Sequence, residues 1–198
     1  MSLDTGVPPI ITMNGILKLN NVMTDELCKN LIQYHTNNKE SCKKYTHDTP
    51  YNNVDCLELR LIENSALDNL VYKCVVAVIE KYISVYPSFT CSGDVGYQLR
   101  EITGQTLEHI DNVLDRDGRT RNVSIIFGLN SDYENGEFHF PFQKYTTTVK
   151  RGQAIIFPVY YMYPHSVDAP IGSRYTINTW LLDGFQKSPF IPPGTHDS

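Results

Sequence analysis

Arg174-Tyr175-Thr176-Ile177-Asn178-Thr179-Trp180-Leu181-Leu182 is the stretch on which the fold turns. It is rich in β-branched and aromatic residues and contains neither glycine nor proline, as a strand requires. Period two puts Arg174, Thr176, Asn178 and Trp180 on one face and Tyr175, Ile177, Thr179 and Leu181 on the other. A charged and polar face backed by a more apolar one predicts a strand with a pocket on one side. The same texture of short strands and turn signals runs from Val95 onward, with strands expected over 97–102, 122–130, 136–140, 145–149, 153–158 and 174–182. Asn135-Gly136 and Arg151-Gly152 fall between such runs and predict hairpin turns, where φ becomes positive.

The first half reads differently. After a strand-like stretch at 10–19, Thr24 can cap a helix whose first turn carries Asp25 and Glu26. Leu27, Cys28, Leu31, Ile32 and His35 then recur at helical spacing. A second helical face follows a strand at 56–62, formed by Leu67, Val71, Cys74, Val75, Val78 and Tyr82, and it ends before Pro87. Residues 36–53 show no sustained period and include Pro50, so they read as a long loop bordering a site. Two helices followed by an antiparallel β half predict a mainly β fold with flanking helices (α+β), a double-sheet jelly roll.

At 198 residues one domain is expected over 1–198, with a catalytic core at 95–184, supporting strands and helices at 10–90 and an irregular tail at 188–198. A net charge of −5 without Lys/Arg runs argues against nucleic acid as partner. Five scattered cysteines without a CxxC pair suggest reduced thiols, not a disulfide framework or zinc site. No signal-peptide pattern or apolar span of about 20 residues is present, so a soluble, cytoplasmic protein without membrane partners is expected.

The chemistry lies in the β half. His109 and Asp111 are two apart, so on an extended segment both side chains point the same way. A His-x-Asp alone is a weak signal. His165, just past the strand at 153–158, adds a second imidazole that a jelly-roll connection can return beside Asp111. Two histidines and one carboxylate leave open positions on an octahedral ion, the pattern of non-haem iron(II), whereas structural zinc closes a fourth protein ligand. Arg174, nine residues after His165, supplies a planar fork that matches a carboxylate. A surface salt bridge is its plainer reading.

The ordered set His109-x-Asp111, Asn135-Gly136-Glu137-Phe138, Lys150-Arg151-Gly152-Gln153-Ala154-Ile155-Ile156-Phe157-Pro158, His165 and Arg174-Tyr175 resembles the prolyl-4-hydroxylase-like branch of the iron(II)/2-oxoglutarate-dependent dioxygenases. The resemblance covers about residues 97–184. It implies a double-stranded β-helix core, iron held by His109, Asp111 and His165, and Arg174 paired with the distal carboxylate of 2-oxoglutarate. It further implies O2 as co-substrate, with ascorbate as a supporting reductant. Relatives carry a tyrosine that also touches the co-substrate, and Gly128 stands at one position for it. Tyr97 is the candidate substitute, with a core role as its alternative, and Asn178 is a second candidate contact.

Other residues keep plainer readings. His139 is read as a solvent-facing strand residue and left out of the ligands, Trp180 as a packing anchor, and Arg121 as a surface charge, although its position resembles one that approaches substrate in this branch. The implied activity is hydroxylation of a C–H bond, with a prolyl residue of a peptide or protein as leading substrate. A free amino acid or small metabolite is the alternative, and a non-catalytic jelly-roll binding protein the alternative class.

Overall fold

In the computed structural model, which describes residues 10–11, 14–46, 54–61, 65–113 and 119–183, alternation in sequence becomes alternation in burial. The elements are β1 (Ile10–Ile11), β2 (Leu17–Leu19), α1 (Asp25–Asn37), β3 (Lys43–Tyr45), β4 (Val54–Arg60), α2 (Ser65–Val85), β5 (Gly93–Asp94), β6 (Gln98–His109), β7 (Arg121–Gly128), β8 (Phe138–Phe140), β9 (Tyr145–Thr147), β10 (Ala154–Pro158), β11 (His165–Val167) and β12 (Arg174–Leu182). They form one curled antiparallel sheet, with a path running β1-β2-β10-β7-β12-β6-β11-β8-β9 and β4 on the second edge of β6. The result is the expected jelly-roll architecture, mostly β with two helices.

β6 is the strand that curls the sheet. Its first half, Gln98 to Ile102, pairs with β12, while Thr106 and His109 near its end pair with β11. One strand therefore serves two sheet walls, and the space between the walls lies beside its C-terminal end.

On one face of the first wall, Leu99, Val123, Ile125, Phe127, Ala154, Ile156, Ile177 and Leu181 pack with Leu27, Cys28 and Leu31 of α1 and Val71, Val75, Val78 and Tyr82 of α2. Thr24 Oγ1 accepts from the Leu27 N–H at 3.2 Å, the cap that starts α1. The alternate residues turn inward: Ile126, Ile155 and Phe157 join Phe138, Phe140, Val149 and Val167 in a second apolar cluster between the walls. That cluster closes one end of the jelly roll and leaves the other open.

Several local expectations change. The strand at 10–19 is broken at Gly15 (φ +78°), whose N–H donates to Tyr86 Oη and whose carbonyl accepts from Tyr82 Oη. A Cβ there would lie 2.7 Å from the Tyr163 hydroxyl, so any side chain would be strained by the positive φ and would have to push the Tyr163 ring aside. Residues 36–53 are partly regular: Thr36 and Asn37 finish α1, Lys39–Ser41 form a 3-10 turn and β3 pairs with β4, while 47–53 lie outside the described residues. Asn135-Gly136 and Gly152 do take positive φ, but the strands they join are not partners: β7 pairs with β10 and β12, and β8 with β9 and β11. A jelly roll hands its chain between walls at such turns, so they are crossings, not hairpins. The tail at 188–198 is likewise outside the described residues. All five cysteines are free, and no described helix is long and apolar enough to cross a membrane.

Candidate metal centre

His109 is the last residue of β6, His165 the first of β11, and the two are register partners, which puts their imidazole centroids 4.3 Å apart. Asp111, two residues past His109, is buried beside them. Its Oδ1 is 3.2 Å from His109 Nε2 and its Oδ2 3.7 Å from His165 Nε2. One ligand atom from each of the three lies within 4.8 Å of the others. Each Nδ1 faces a backbone carbonyl two residues earlier, that of Leu107 at 2.7 Å and that of Tyr163 at 3.2 Å. A carbonyl can only accept, so Nδ1–H donates; in the neutral ring Nε2 then carries a lone pair directed at the shared space, and in the protonated ring Nε2–H faces the Asp111 carboxylate. The Ser124 hydroxyl donates to Asp111 Oδ2 at 2.5 Å, and Phe157 and Phe140 flank the His165 ring with centroids 4.7 and 5.6 Å away.

Burial on its own would raise the Asp111 carboxyl. The His109 hydrogen bond, the charges of the two histidines and the Ser124 hydroxyl outweigh it and hold the group well below the usual carboxylate range. Burial pushes His165 down to about 4. An ionised carboxylate beside a neutral imidazole is the protonation state in which a divalent ion finds its donors ready.

The three residues open onto a cavity of about 590 Å³ that Arg174, Asn178 and Trp180 also line. Arg174 is 2% exposed, and its Nε and one terminal nitrogen have no partner. Its guanidinium lies over the Phe138 ring at 5.2 Å, and Gly136 makes room for it: a Cβ there would meet Arg174 Cδ at 3.3 Å. Burial lowers the Arg174 guanidinium to about 10, so it is still charged at neutral pH. A buried cation with unused donors fits an incoming carboxylate, and the surface reading of Arg174 is set aside.

The other expectations divide. Asn178 lines the cavity and accepts from the Thr176 hydroxyl at 2.7 Å. Tyr97 is not among the lining residues: its ring belongs to the helix-side core and its hydroxyl donates to Asp94. Gly128 cannot be replaced by a larger residue, because a Cβ would lie 2.4 Å from the Val149 carbonyl and 2.5 Å from that of Lys150. The chain entering β10 occupies the space a tyrosine at 128 would need. His139 is part-exposed and bonded to Asp168 at 2.8 Å, away from the triad.

Sequence reasoning missed Glu58, Arg100, Ser124 and Arg121 in the cavity region. Arg121 is the instructive case. Simple alternation would put it on the core face with Val123, but the ladder skips Asn122 between the pairs Leu181↔Val123 and Leu182↔Arg121. That irregularity turns Arg121 to the cavity face, where its guanidinium stacks over Trp180 at 4.0 Å. The assignment of Arg121 as a surface charge is therefore wrong; the family resemblance had offered the cavity-facing alternative, and the pairing register decides for it.

A curled antiparallel jelly roll with two histidines and a carboxylate at its open end is the arrangement of the mononuclear non-haem iron oxygenases. Residues 97–182 match the family model described as the 2OG-Fe(II) oxygenase superfamily. Over these residues the chain is thus similar to a 2OG-Fe(II) oxygenase domain, and its fold is prolyl-4-hydroxylase-like. No curated protein matches it in sequence. Solved structures do match in fold. A prolyl hydroxylase from Trichoplax adhaerens, in complex with a hypoxia inducible factor peptide, aligns with a TM-score of 0.67 and 18% identity over 86% of this chain and 84% of its own. The viral collagen prolyl hydroxylase of Paramecium Bursaria Chlorella virus-1, as its 2OG complex, gives 0.68 and 15% over 86% and 97%. A Pseudomonas putida prolyl-4-hydroxylase gives 0.65 and 15% over 87% and 94%.

Proposed function

We propose that His109, Asp111 and His165 hold iron(II), that Arg174 pairs with the distal carboxylate of 2-oxoglutarate with Asn178 as a polar neighbour, and that the enzyme hydroxylates a prolyl residue in a peptide or protein. The observation that carries the site is a two-histidine, one-carboxylate group sharing one cavity with a buried guanidinium that lacks an anion. The prolyl assignment is supported by the fold likeness to three prolyl hydroxylases. The catalytic core is taken as 95–184, with 10–90 as its support.

When bound, iron(II) with 2-oxoglutarate supplies the oxidising power for inserting one oxygen atom of O2 into a C–H bond, giving succinate and carbon dioxide. The chain's own residues set the geometry. The carbonyls of Leu107 and Tyr163 fix the imidazole tautomers, and Ser124 fixes the carboxylate rotamer. The Phe140 and Phe157 rings keep water from the His165 side, and Arg174 orients a dicarboxylate along the cavity. No side chain has to act as nucleophile.

The test is succinate formation from 2-oxoglutarate in air with added iron(II), for the wild type, His109→Ala and Arg174→Ala, with a proline peptide monitored for a product heavier by one oxygen. The reading expects iron-dependent turnover abolished in His109→Ala, and iron binding retained in Arg174→Ala with a raised 2-oxoglutarate requirement. Turnover that ignores iron would end the enzyme reading, and an unmodified peptide beside active decarboxylation would end the prolyl one.

A further inference from the structure

The His165 imidazole is held more loosely than that of His109. Its Nδ1 lies 3.2 Å from the Tyr163 carbonyl, against 2.7 Å from the Leu107 carbonyl for His109. A shift of a few tenths of an ångström takes the longer contact out of hydrogen-bond range. Whatever fixes the Tyr163 backbone therefore bears on the metal. Tyr163 lies in the turn at 159–164 that joins β10 to β11. Its N–H donates to the Tyr160 carbonyl at 2.8 Å, and the Val159 N–H to the Asn122 carbonyl at 3.2 Å. The Tyr160 hydroxyl is 3.0 Å from Asn122 Oδ1, and Gln143 Nε2 donates to the Met162 carbonyl at 2.7 Å. Side chains and backbone of β7 and the β8–β9 connection thus hold the turn from the sheet.

A second hold comes from the segment that leads into β2. The place of a Cβ on Gly15 is 2.7 Å from Tyr163 Oη, 3.3 Å from its Cζ and 3.2 Å from Pro158 Cγ, so the Gly15 backbone lies directly on both ends of the turn. The Tyr163 ring also packs on the inner apolar cluster that contains Phe157, whose ring flanks His165. Held between glycine and cluster, that ring passes a push on to its own backbone. Among the described residues the Tyr163 hydroxyl has no hydrogen-bond partner, so its contact with Gly15 is one of shape.

Gly15 is fixed in turn from the helix side. The Tyr82 hydroxyl, on α2, donates to its carbonyl at 2.9 Å, and its N–H donates to the Tyr86 hydroxyl at 3.1 Å. The Tyr82 and Tyr86 rings are 4.8 Å apart, with Phe89 5.0 Å from Tyr82, which braces both phenols. Both backbone groups of one glycine are therefore bonded to one helix end.

The geometry points to Gly15, Tyr82 and Tyr86 as positioning residues for the metal centre: α2 pins Gly15, Gly15 sets the Tyr163 ring, and the Tyr163 carbonyl orients His165. This deepens the reading above, rests on its metal site, and adds residues from the helix side of the fold. Glycine is needed at 15 for two separate reasons, its φ of +78° and the missing Cβ. The two can be separated by experiment, because strain acts on stability and the clash acts on Tyr163.

The test titrates the full chain anaerobically with cobalt(II), reading affinity and the visible band of the bound ion, and records melting of the apo protein. Gly15→Ala should bind cobalt about tenfold more weakly with a shifted band, and should melt lower than the wild type. Adding Tyr163→Phe removes the clashing oxygen. The double variant should return to within about twofold of Tyr163→Phe alone in affinity while its melting temperature stays low. Tyr82→Phe and Tyr86→Phe each free one end of Gly15 and should weaken cobalt by about threefold, an arm that stands even if Gly15→Ala does not fold.

Wild-type affinity in folded Gly15→Ala overturns the inference, as does a double variant no tighter than Gly15→Ala. Wild-type affinity in both tyrosine variants overturns it too. In each of these cases the wild type still binds cobalt through Asp111. Wild-type binding that survives Asp111→Ala, or no binding at all, would instead overturn the metal reading.

Discussion

The two faces of β7 and β12 belong to the same backbone and have opposite contents. Toward the helices they show Val123, Ile125, Phe127, Ile177 and Leu181, all within an apolar cluster. Toward the cavity they show Ser124, Arg174, Thr176, Asn178 and Trp180, with Arg121 added by the ladder irregularity. The first face stabilises through close packing and tolerates no charge. The second holds a guanidinium that is 2% exposed with unpaired nitrogens, an arrangement that costs folding free energy until a ligand arrives. Stability and function are thus separated by two-residue periodicity, and the helix-side face offsets what the cavity face costs.

That contrast can be broken from either side. The largest effect is expected from Phe127→Ala, which leaves a void in the fully buried helix-side core and should cost about 3–5 kcal/mol in denaturant unfolding. The folded fraction should still bind metal normally. Asp111→Ala should do the reverse: iron affinity, read by titration, falls by about a hundredfold or more, while the apo melting temperature stays near that of the wild type. A large drop in melting temperature there would mean that the carboxylate also supports the fold.

Arg174→Met sharpens the comparison further. Exchanging a buried unpaired cation for an apolar chain of similar length should raise apo stability by about 1 kcal/mol and weaken 2-oxoglutarate binding by about tenfold or more, with iron retained. Unchanged stability would show that Arg174 is already neutralised in the free protein.

The smallest effect concerns His35, which is buried on the helix side with Nε2 on the Leu57 carbonyl and Nδ1 unpartnered. Burial lowers it below its ordinary 6.5, so the folded chain keeps it neutral while the unfolded chain takes up a proton. The stability it contributes is present above 6.5 and is lost as pH falls. His35→Leu should therefore flatten the decline in melting temperature between about pH 7 and about pH 5, the remaining slope coming from groups such as His165.

Much of this was legible beforehand because the signals are short-ranged. Thr24 before Asp25-Glu26 announced a capped helix, and the strand at 174–182 was readable to its last residue, since period two and a turn-rich flank are local properties. The metal candidates emerged from order and spacing, and Gly136 and Gly152 from turn chemistry. The partners of those turns were not readable, because a jelly roll joins strands in different walls and the pairing is decided far along the chain. Tyr97 looked as suitable as Asn178 for the co-substrate. Only the packing of α2 against the start of β6 sends its ring to the core.

By itself, the sequence determined the element types, the two contrasting halves and the inventory of donors: two imidazoles, a carboxylate and an arginine in order. These follow from periodicities of two and 3.6 and from side-chain chemistry, which need no knowledge of partners. The tertiary structure alone decided that His109 and His165 are neighbours in register, that the carbonyls of Leu107 and Tyr163 aim both Nε2 atoms at one point, and that a skipped residue turns Arg121 inward. Each of these depends on strand register between segments tens of residues apart, where one residue of slip reverses which face a side chain occupies.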